Sequence, residues 1–312
     1  MSDAPVPEPV SHDLVVLTTA QWQARARAHR ERVQPWTVPN RARRSRGESH
    51  PVYDFLFQYY SYSGGQLEVW HPDPHEQLAD SAEARAQFHT REYHSANGVI
   101  GRDPQALKPS ERTMLARVLD VLTSTQDRAP NFGCFGMHEW AMVYGAHDIR
   151  HAGIAPLRLP QSQVDALVES RPVACSHFDA YRFFAPAAQP MNRIPLAWET
   201  RYAAEQPGCI HANMDLYRWA YTAMPWVGSS LLWDCFELAV ALRVLDMQAG
   251  PYDLRAMGFE PVCIETPEGR EQYQQRQRDL SVRASALRTR LINIIASLHP
   301  FTAGRADDIA PG

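Results

Sequence analysis

Lysine is almost missing from this chain of 312 residues: Lys108 stands alone, and every other Lys/Arg position is arginine. Schiff-base chemistry would have only Lys108, or else the N-terminal amine, to work with. No apolar run approaches the roughly 18 to 20 residues of a spanning helix, so no membrane association is expected. The opening stretch MSDAPVPEPVSHD is acidic and proline-rich and lacks the basic and apolar regions of a secretory signal. The five cysteines (Cys134, Cys175, Cys209, Cys235, Cys263) are odd in number, far apart and without a CxxC pair. That excludes a disulfide framework or zinc ribbon and fits reduced thiols in the cytoplasm. No GxSxG elbow, GxxxxGK(S/T) loop or GxGxxG turn occurs, so neither a nucleotide triphosphate nor a dinucleotide cofactor is expected.

Composition is that of a globular chain, with 45% hydrophobic and 21% charged residues. The net charge of −4 and pI near 6.3 are not the global signature of a nucleic-acid binder. The local distribution differs. Arg25, Arg27, Arg30, Arg32, Arg41, Arg43, Arg44 and Arg46 face a single acid, Glu31, over that span. Such an arm can bind phosphates even on an acidic protein, and a solvated helix face followed by a flexible loop has the same composition.

The pattern predicts a mainly α protein with minor β, a single helical domain carrying a basic N-terminal arm. Residues 1–13 and 301–312 read as disordered tails, 14–48 as the basic helix and arm, and 49–300 as the helical catalytic domain. Thr18 and Thr19 can cap a helix from about Gln21 to Val33, with Pro35 and Pro39 breaking the chain before an arginine-rich loop over 40–48. The aromatic stretch 53–65 suits packing between two layers, or a stacking platform for a flat ligand. Residues 68–101 read as a partly helical surface excursion. Pro109-Ser110-Glu111 opens an amphipathic helix to about Gln126, with Met114, Leu115, Val118, Leu119 and Leu122 as its buried stripe. Ser229 and Ser230 begin a helix that is apolar nearly all round and therefore central. VCIET at 262–266 looks extended, and Thr266-Pro267-Glu268 starts a helix to about Leu298.

Ionisable residues concentrate in NFGCFGMHEWAMVYGAHDIRH at 131–151. His138-Glu139 lacks the second histidine of HExxH, because position 142 is Met142. His147 and His151 are four apart. With His177/Asp179 and His211/Asp215 they supply enough nitrogen and oxygen ligands for zinc or iron, and a hydrogen-bonded structural network fits the same residues. On the apolar helix, Asp234 and Glu237 share a face, with Arg182, Arg218 and Arg243 available to pair with them.

Several strings carry a family resemblance: HPVYDFLFQYYSY (50–62), FGCFGMHEWAMVY (132–144), ACSHFDAYRFFAP (174–186), EQPGCIHANMDLYRWAY (205–221) and DCFELAVALRVLDMQAGPYDLRAMGFEPVCIETPEGR (234–270). Together they resemble actinobacterial proteins described as 3-methyladenine DNA glycosylases, over most of the chain from about Thr18 to Leu291. The resemblance implies release of alkylated purines from DNA, with a flipped base stacked among Tyr59, Tyr60, Trp140 and Tyr144. Glu139 would then be the acid/base carboxylate with His138 orienting it or water, Asp179 beside His177 the alternative carboxylate, and Arg41, Arg43, Arg44 and Arg46 the phosphate contacts. No cofactor is needed, and scarcity of lysine suits a water-using glycosylase. Two other readings stand beside it. One is a zinc or non-haem iron enzyme on a small molecule, with ligands from His138, Glu139, His147, His151, His177 and His211; the other is a non-catalytic nucleic-acid-binding protein.

Overall fold

The structure, a computed structural model, describes residues 14–145 and 155–298. His147, Asp148 and His151 lie outside the described residues, as do both predicted tails. The chain runs β1 (Val15–Leu17), α1 (Thr19–Ser45), α2 (Phe55–Tyr59), α3 (Gly64–Leu67), β2 (Glu76–Ala79), α4 (Ala82–Gln87), β3 (Tyr93–Ala96), β4 (Val99–Arg102) and α5 (Pro109–Gln126). There follow α6 (Met137–Met142), α7 (Gln161–Glu169), α8 (Phe178–Tyr181), α9 (Ile210–Met214), α10 (Leu216–Thr222), α11 (Gly228–Ala249) and α12 (Pro267–Ser297). The fold is mainly helical with one small sheet, as expected.

Helix α11 is the axis. It buries residues on every face, from Leu231 and Leu232 to Leu245 and Met247, and α9, α10 and α12 pack against it, with α5 packed against α12. One apolar cluster surrounds its N-terminal two thirds with α5, α10 and α12. A second gathers α6, α7, Tyr252 and Tyr273 around its C-terminal end. The third is small and joins Trp22 and Trp70 to the sheet. The polar residues considered below sit where the first two clusters meet.

Helix α1 corrects the first sequence expectation. It continues through Pro35 and Pro39 to Ser45, where a break was predicted. A proline inside a helix costs about 3 kcal/mol, so tertiary contacts must offset it. Trp36 packs edge-on against Tyr53 and Phe236. Beyond the prolines, Arg43 holds the Asp54 carboxylate with Nε at 2.7 Å and Nη2 at 2.5 Å, Asn40 donates to it at 2.9 Å, and Arg41 pairs with Glu68. Residues 40–45 of the predicted loop are therefore helix, and only 46–48 leave it.

The region read as a partly helical excursion holds α4 and, in addition, three of the four strands of the sheet, whose order is β1-β2-β4-β3. Strand β1 pairs parallel with β2, and the other pairs are antiparallel. The turn between β3 and β4 is Asn97-Gly98, both at positive φ (53° and 77°), which is the pairing a tight twisted hairpin selects. Helix α5 spans the predicted residues, but Met114 is exposed and the buried stripe is Leu115, Val118, Leu122 and Thr125. Helix α12 starts as read: Thr266 accepts a hydrogen bond from the Gly269 amide, and Pro267 fills the first turn. VCIET forms no strand. Asp234 pairs at the surface with Arg290, at 2.6 Å, rather than with any of the three predicted arginines. No helix among the described residues is long and apolar enough to cross a membrane.

Candidate metal centre

Three histidines from three separate segments meet beside the C-terminal half of α11. Phe135 (φ 48°) and Gly136 (φ 74°) both take left-handed backbone, turning the chain sharply into α6. For a bulky residue such as Phe135 that conformation is strained. The turn aims His138 and Glu139 into the protein, where both are buried. His177 precedes α8, His211 lies in the first turn of α9, and the His211 ring stacks on His177 at 5.3 Å while meeting His138 edge-on at 4.6 Å.

Carboxylates occupy both flanks. From α11, Asp246 offers Oδ1 to His138 Nε2 at 2.7 Å and Oδ2 towards His211 Nε2 at 3.8 Å. Arg243, one turn earlier, donates to Asp246 at 2.9 Å and to Glu139 at 3.1 Å, and its guanidinium lies over the Phe55 ring at 4.0 Å. On the other flank His177 Nε2 is 3.3 Å from Asp215 Oδ2 and 3.5 Å from Glu205 Oε1. The Tyr60 hydroxyl donates to Asp215 at 2.8 Å. Arg218 spans Asp215 and Asp179, both at 3.3 Å, and Tyr59 donates to Asp179 at 3.1 Å near the half-buried rim. His138/His211/Asp246 and His177/Glu205/Asp215 each bring three ligand atoms within 4.8 Å of one another.

Burying so many carboxyls together has electrostatic consequences. Burial raises the Glu205 pKa to about 7, and burial with repulsion from Asp246 raises that of Glu139. Burial opposes charge on His138 and on His177. For His138 the Asp246 carboxylate and Cys134 sulfur outweigh it and push the pKa well above the usual value. For His177 the bond from Asp215 and the nearby Glu205 do the same. His211, desolvated and repelled by His138, is pushed down to about 3. Arg218 and the His177 hydrogen bond hold Asp215 low in spite of its burial. Among the described residues Arg243 pairs with Glu139 and Asp246 and Arg218 with Asp215, and the raised pKa values of His138 and His177 show that the carboxylates draw protons onto the histidines.

A cavity with room for about one water-sized sphere opens beside His138 and His211. Cys134, Cys175, Cys209 and Tyr273 line it, with Gln277. Burial keeps the Cys175 thiol well above its ordinary pKa and pushes Cys209 up to about 12. The Tyr273 hydroxyl, Gln277 Oε1 and His177 Nδ1 are buried without a hydrogen-bond partner. Such atoms are rare in a protein interior and point to solvent or a ligand.

Of the residues singled out from sequence, the structure brings together His138, Glu139, His177 and His211 in the interior, and Asp179 with Tyr59 at its edge. Tyr60 is buried as a hydrogen-bond donor. Trp140 has no exposed surface: its indole donates to the Ala249 carbonyl at 2.9 Å and Arg158 covers its ring, so it offers no face for a base. Tyr144 bonds Glu169 of α7 at 2.9 Å, outside the cluster. Of the arm arginines, Arg41, Arg43 and Arg46 pair with Glu68, Asp54 and Glu48, while Arg44 is exposed. Sequence reasoning missed Glu205, in a stretch without periodicity, and undervalued Asp246 and Arg243, whose i, i+3 spacing on an apolar helix was the available signal. No family model, curated protein or solved structure matches the chain.

Proposed function

We propose that the protein is a metal-dependent enzyme acting on a small molecule, with a divalent zinc or iron ion held by His177, Glu205 and Asp215. The observation that carries this reading is the spacing of the ligand atoms. Ligands about 2.0–2.1 Å from a tetrahedral ion lie about 3.3–3.4 Å apart. His177 Nε2 stands at 3.3 and 3.5 Å from the two carboxylate oxygens, longer than a strong charge-assisted hydrogen bond. All three residues are buried, and the Tyr60 and Arg218 bonds to Asp215 are the outer contacts that orient a metal ligand. Bound there, the ion would supply Lewis acidity and an activated water. Arg218, Tyr59 and Asp179 lead outward from it and form the side from which a substrate approaches. Elemental analysis of the purified, tag-free protein tests this: one equivalent or more of zinc, iron or manganese is expected, lost in His177→Ala. A folded, metal-free wild type would overturn it.

A second reading keeps the activity implied by the family resemblance, release of alkylated purines from DNA. It is favoured by Tyr59, Asp179 and Arg218 standing together at the half-buried rim, an aromatic ring, a carboxylate and a cation at one place. The intramolecular pairing of three arm arginines weighs against it. Base release from methylated DNA, with Glu139→Gln and Asp179→Asn beside wild type, decides it; no release by wild type would end this reading.

A further inference from the structure

We propose that a second metal ion is held by His138, His211 and Asp246, so that the centre is dinuclear; this rests on the metal reading of the neighbouring site. Asp246 presents a different oxygen to each histidine. Its Oδ1 lies 2.7 Å from His138 Nε2, a hydrogen-bond separation that would open to about 3.3–3.4 Å when an ion replaces the shared proton. Its Oδ2 lies 3.8 Å from His211 Nε2, too far for a hydrogen bond and within reach of a common ion. No hydrogen bond to either His211 ring nitrogen occurs among the described residues.

The surroundings are those of a ligand set rather than of a closed polar network. Histidine ligands ordinarily give their second ring N–H to a fixed acceptor, which leaves the other nitrogen for the metal. His138 has that arrangement, since Nδ1 faces the Cys134 sulfur at 3.3 Å and Nε2 points into the triad. Arg243 fixes the Asp246 carboxylate through Oδ2 and is itself anchored by Glu139. The small cavity supplies the independent observation. It touches both His138 and His211, takes about one water, and is bordered by Tyr273 and Gln277, whose hydroxyl and Oε1 are buried without a hydrogen-bond partner. Three protein ligands, two of them bordering a water-sized space, make a site with one open position, which is how catalytic rather than structural ions are held. Through the stacked His211 and His177 rings the two triads share a wall, which places them side by side in one centre.

Metal stoichiometry tests the proposal. The full chain is stripped with chelator and titrated with zinc alone by calorimetry, with equivalents confirmed by elemental analysis and folding by circular dichroism. Wild type is expected to bind two equivalents, His211→Ala one, and Glu205→Gln one. If His211→Ala misfolds, Cys134→Ala serves in its place: it leaves all six ligands intact and should weaken one of the two equivalents at least tenfold. One equivalent in wild type that survives in His211→Ala would overturn the second ion and leave the first standing. Two equivalents retained in a folded His211→Ala would overturn the assignment to this triad. No binding in wild type would overturn both readings.

Discussion

His138 and Asp246 meet at 2.7 Å across 108 residues of sequence, neither with appreciable exposure to solvent. The contact joins a short helix, entered through the strained turn at Phe135, to the central buried helix α11. Asp246 also receives Arg243, so removing its charge would leave a guanidinium and an imidazole facing one another in the interior. Breaking a buried pair by deleting one partner costs about 3–5 kcal/mol, far more than the pair contributes when intact. Asp246→Asn, close in volume, should lower the unfolding free energy of the metal-free protein by that amount in urea titration. A change under about 1 kcal/mol would show that the network is not electrostatically coupled.

The arm arginines separate stability from binding. Arg43→Ala would leave the buried Asp54 carboxylate without its guanidinium, although Asn40 and the His50 amide still donate to it. Because Arg43 is partly exposed, the loss should be about 1–3 kcal/mol, the range for charge-assisted hydrogen bonds. Arg44→Ala, at an exposed position, should change stability by less than about 0.5 kcal/mol. Denaturant midpoints of the two variants measure the difference. Equal midpoints would mean that α1 beyond Pro39 is not held by Asp54.

How far the residues alone expose this architecture depends on how local the deciding force is. The starts of α5 and α12 were readable because proline, cap and acidic first turn all act within four residues. The path of α1 was not, since Pro35 and Pro39 argue for a break and only the distant Phe236, Asp54 and Glu68 reverse it. Asn97-Gly98 was a readable hairpin signal overlooked among scattered histidines. In the site, His138, His177 and His211 stood out by type, and Asp246 could have been found from its place on an apolar helix. Glu205 could not, because its burial is created wholly by chain packed around it.

His71 should make stability depend on pH outside the centre. Burial and the neighbouring Arg102 push its pKa from 6.5 down to about 4, and its Nδ1 contacts the Tyr93 hydroxyl at 2.8 Å. The unfolded chain therefore takes up this proton first as pH falls, so the contribution is complete above pH 6.5 and is lost between there and about 4. One proton over that interval corresponds to about 3–4 kcal/mol. His29, His50 and His211 are also lowered, so the comparison must be with a variant. His71→Phe should flatten the fall in stability between pH 7 and 4 by about that amount. Parallel curves for the two proteins would mean that His71 is protonated in the folded state.

The junction before α12 offers a test of packing that involves no titrating group. Gly269 lies in the first turn, where an added Cβ would collide with the Cys263 carbonyl. The obstructing atom belongs to the backbone, so no rotamer change can relieve it. The chain over Cys263–Thr266 must move, and with it the Thr266 cap and the Arg158–Glu265 ion pair. Gly269→Ala should therefore cost about 3 kcal/mol, the upper end for overpacking, although alanine is the better helix former. Thr266→Ala removes only the cap and should cost about 1 kcal/mol. Thermal unfolding of both variants orders the two effects. If Gly269→Ala proved the more stable, the close approach of α12 to Cys263 would be wrong.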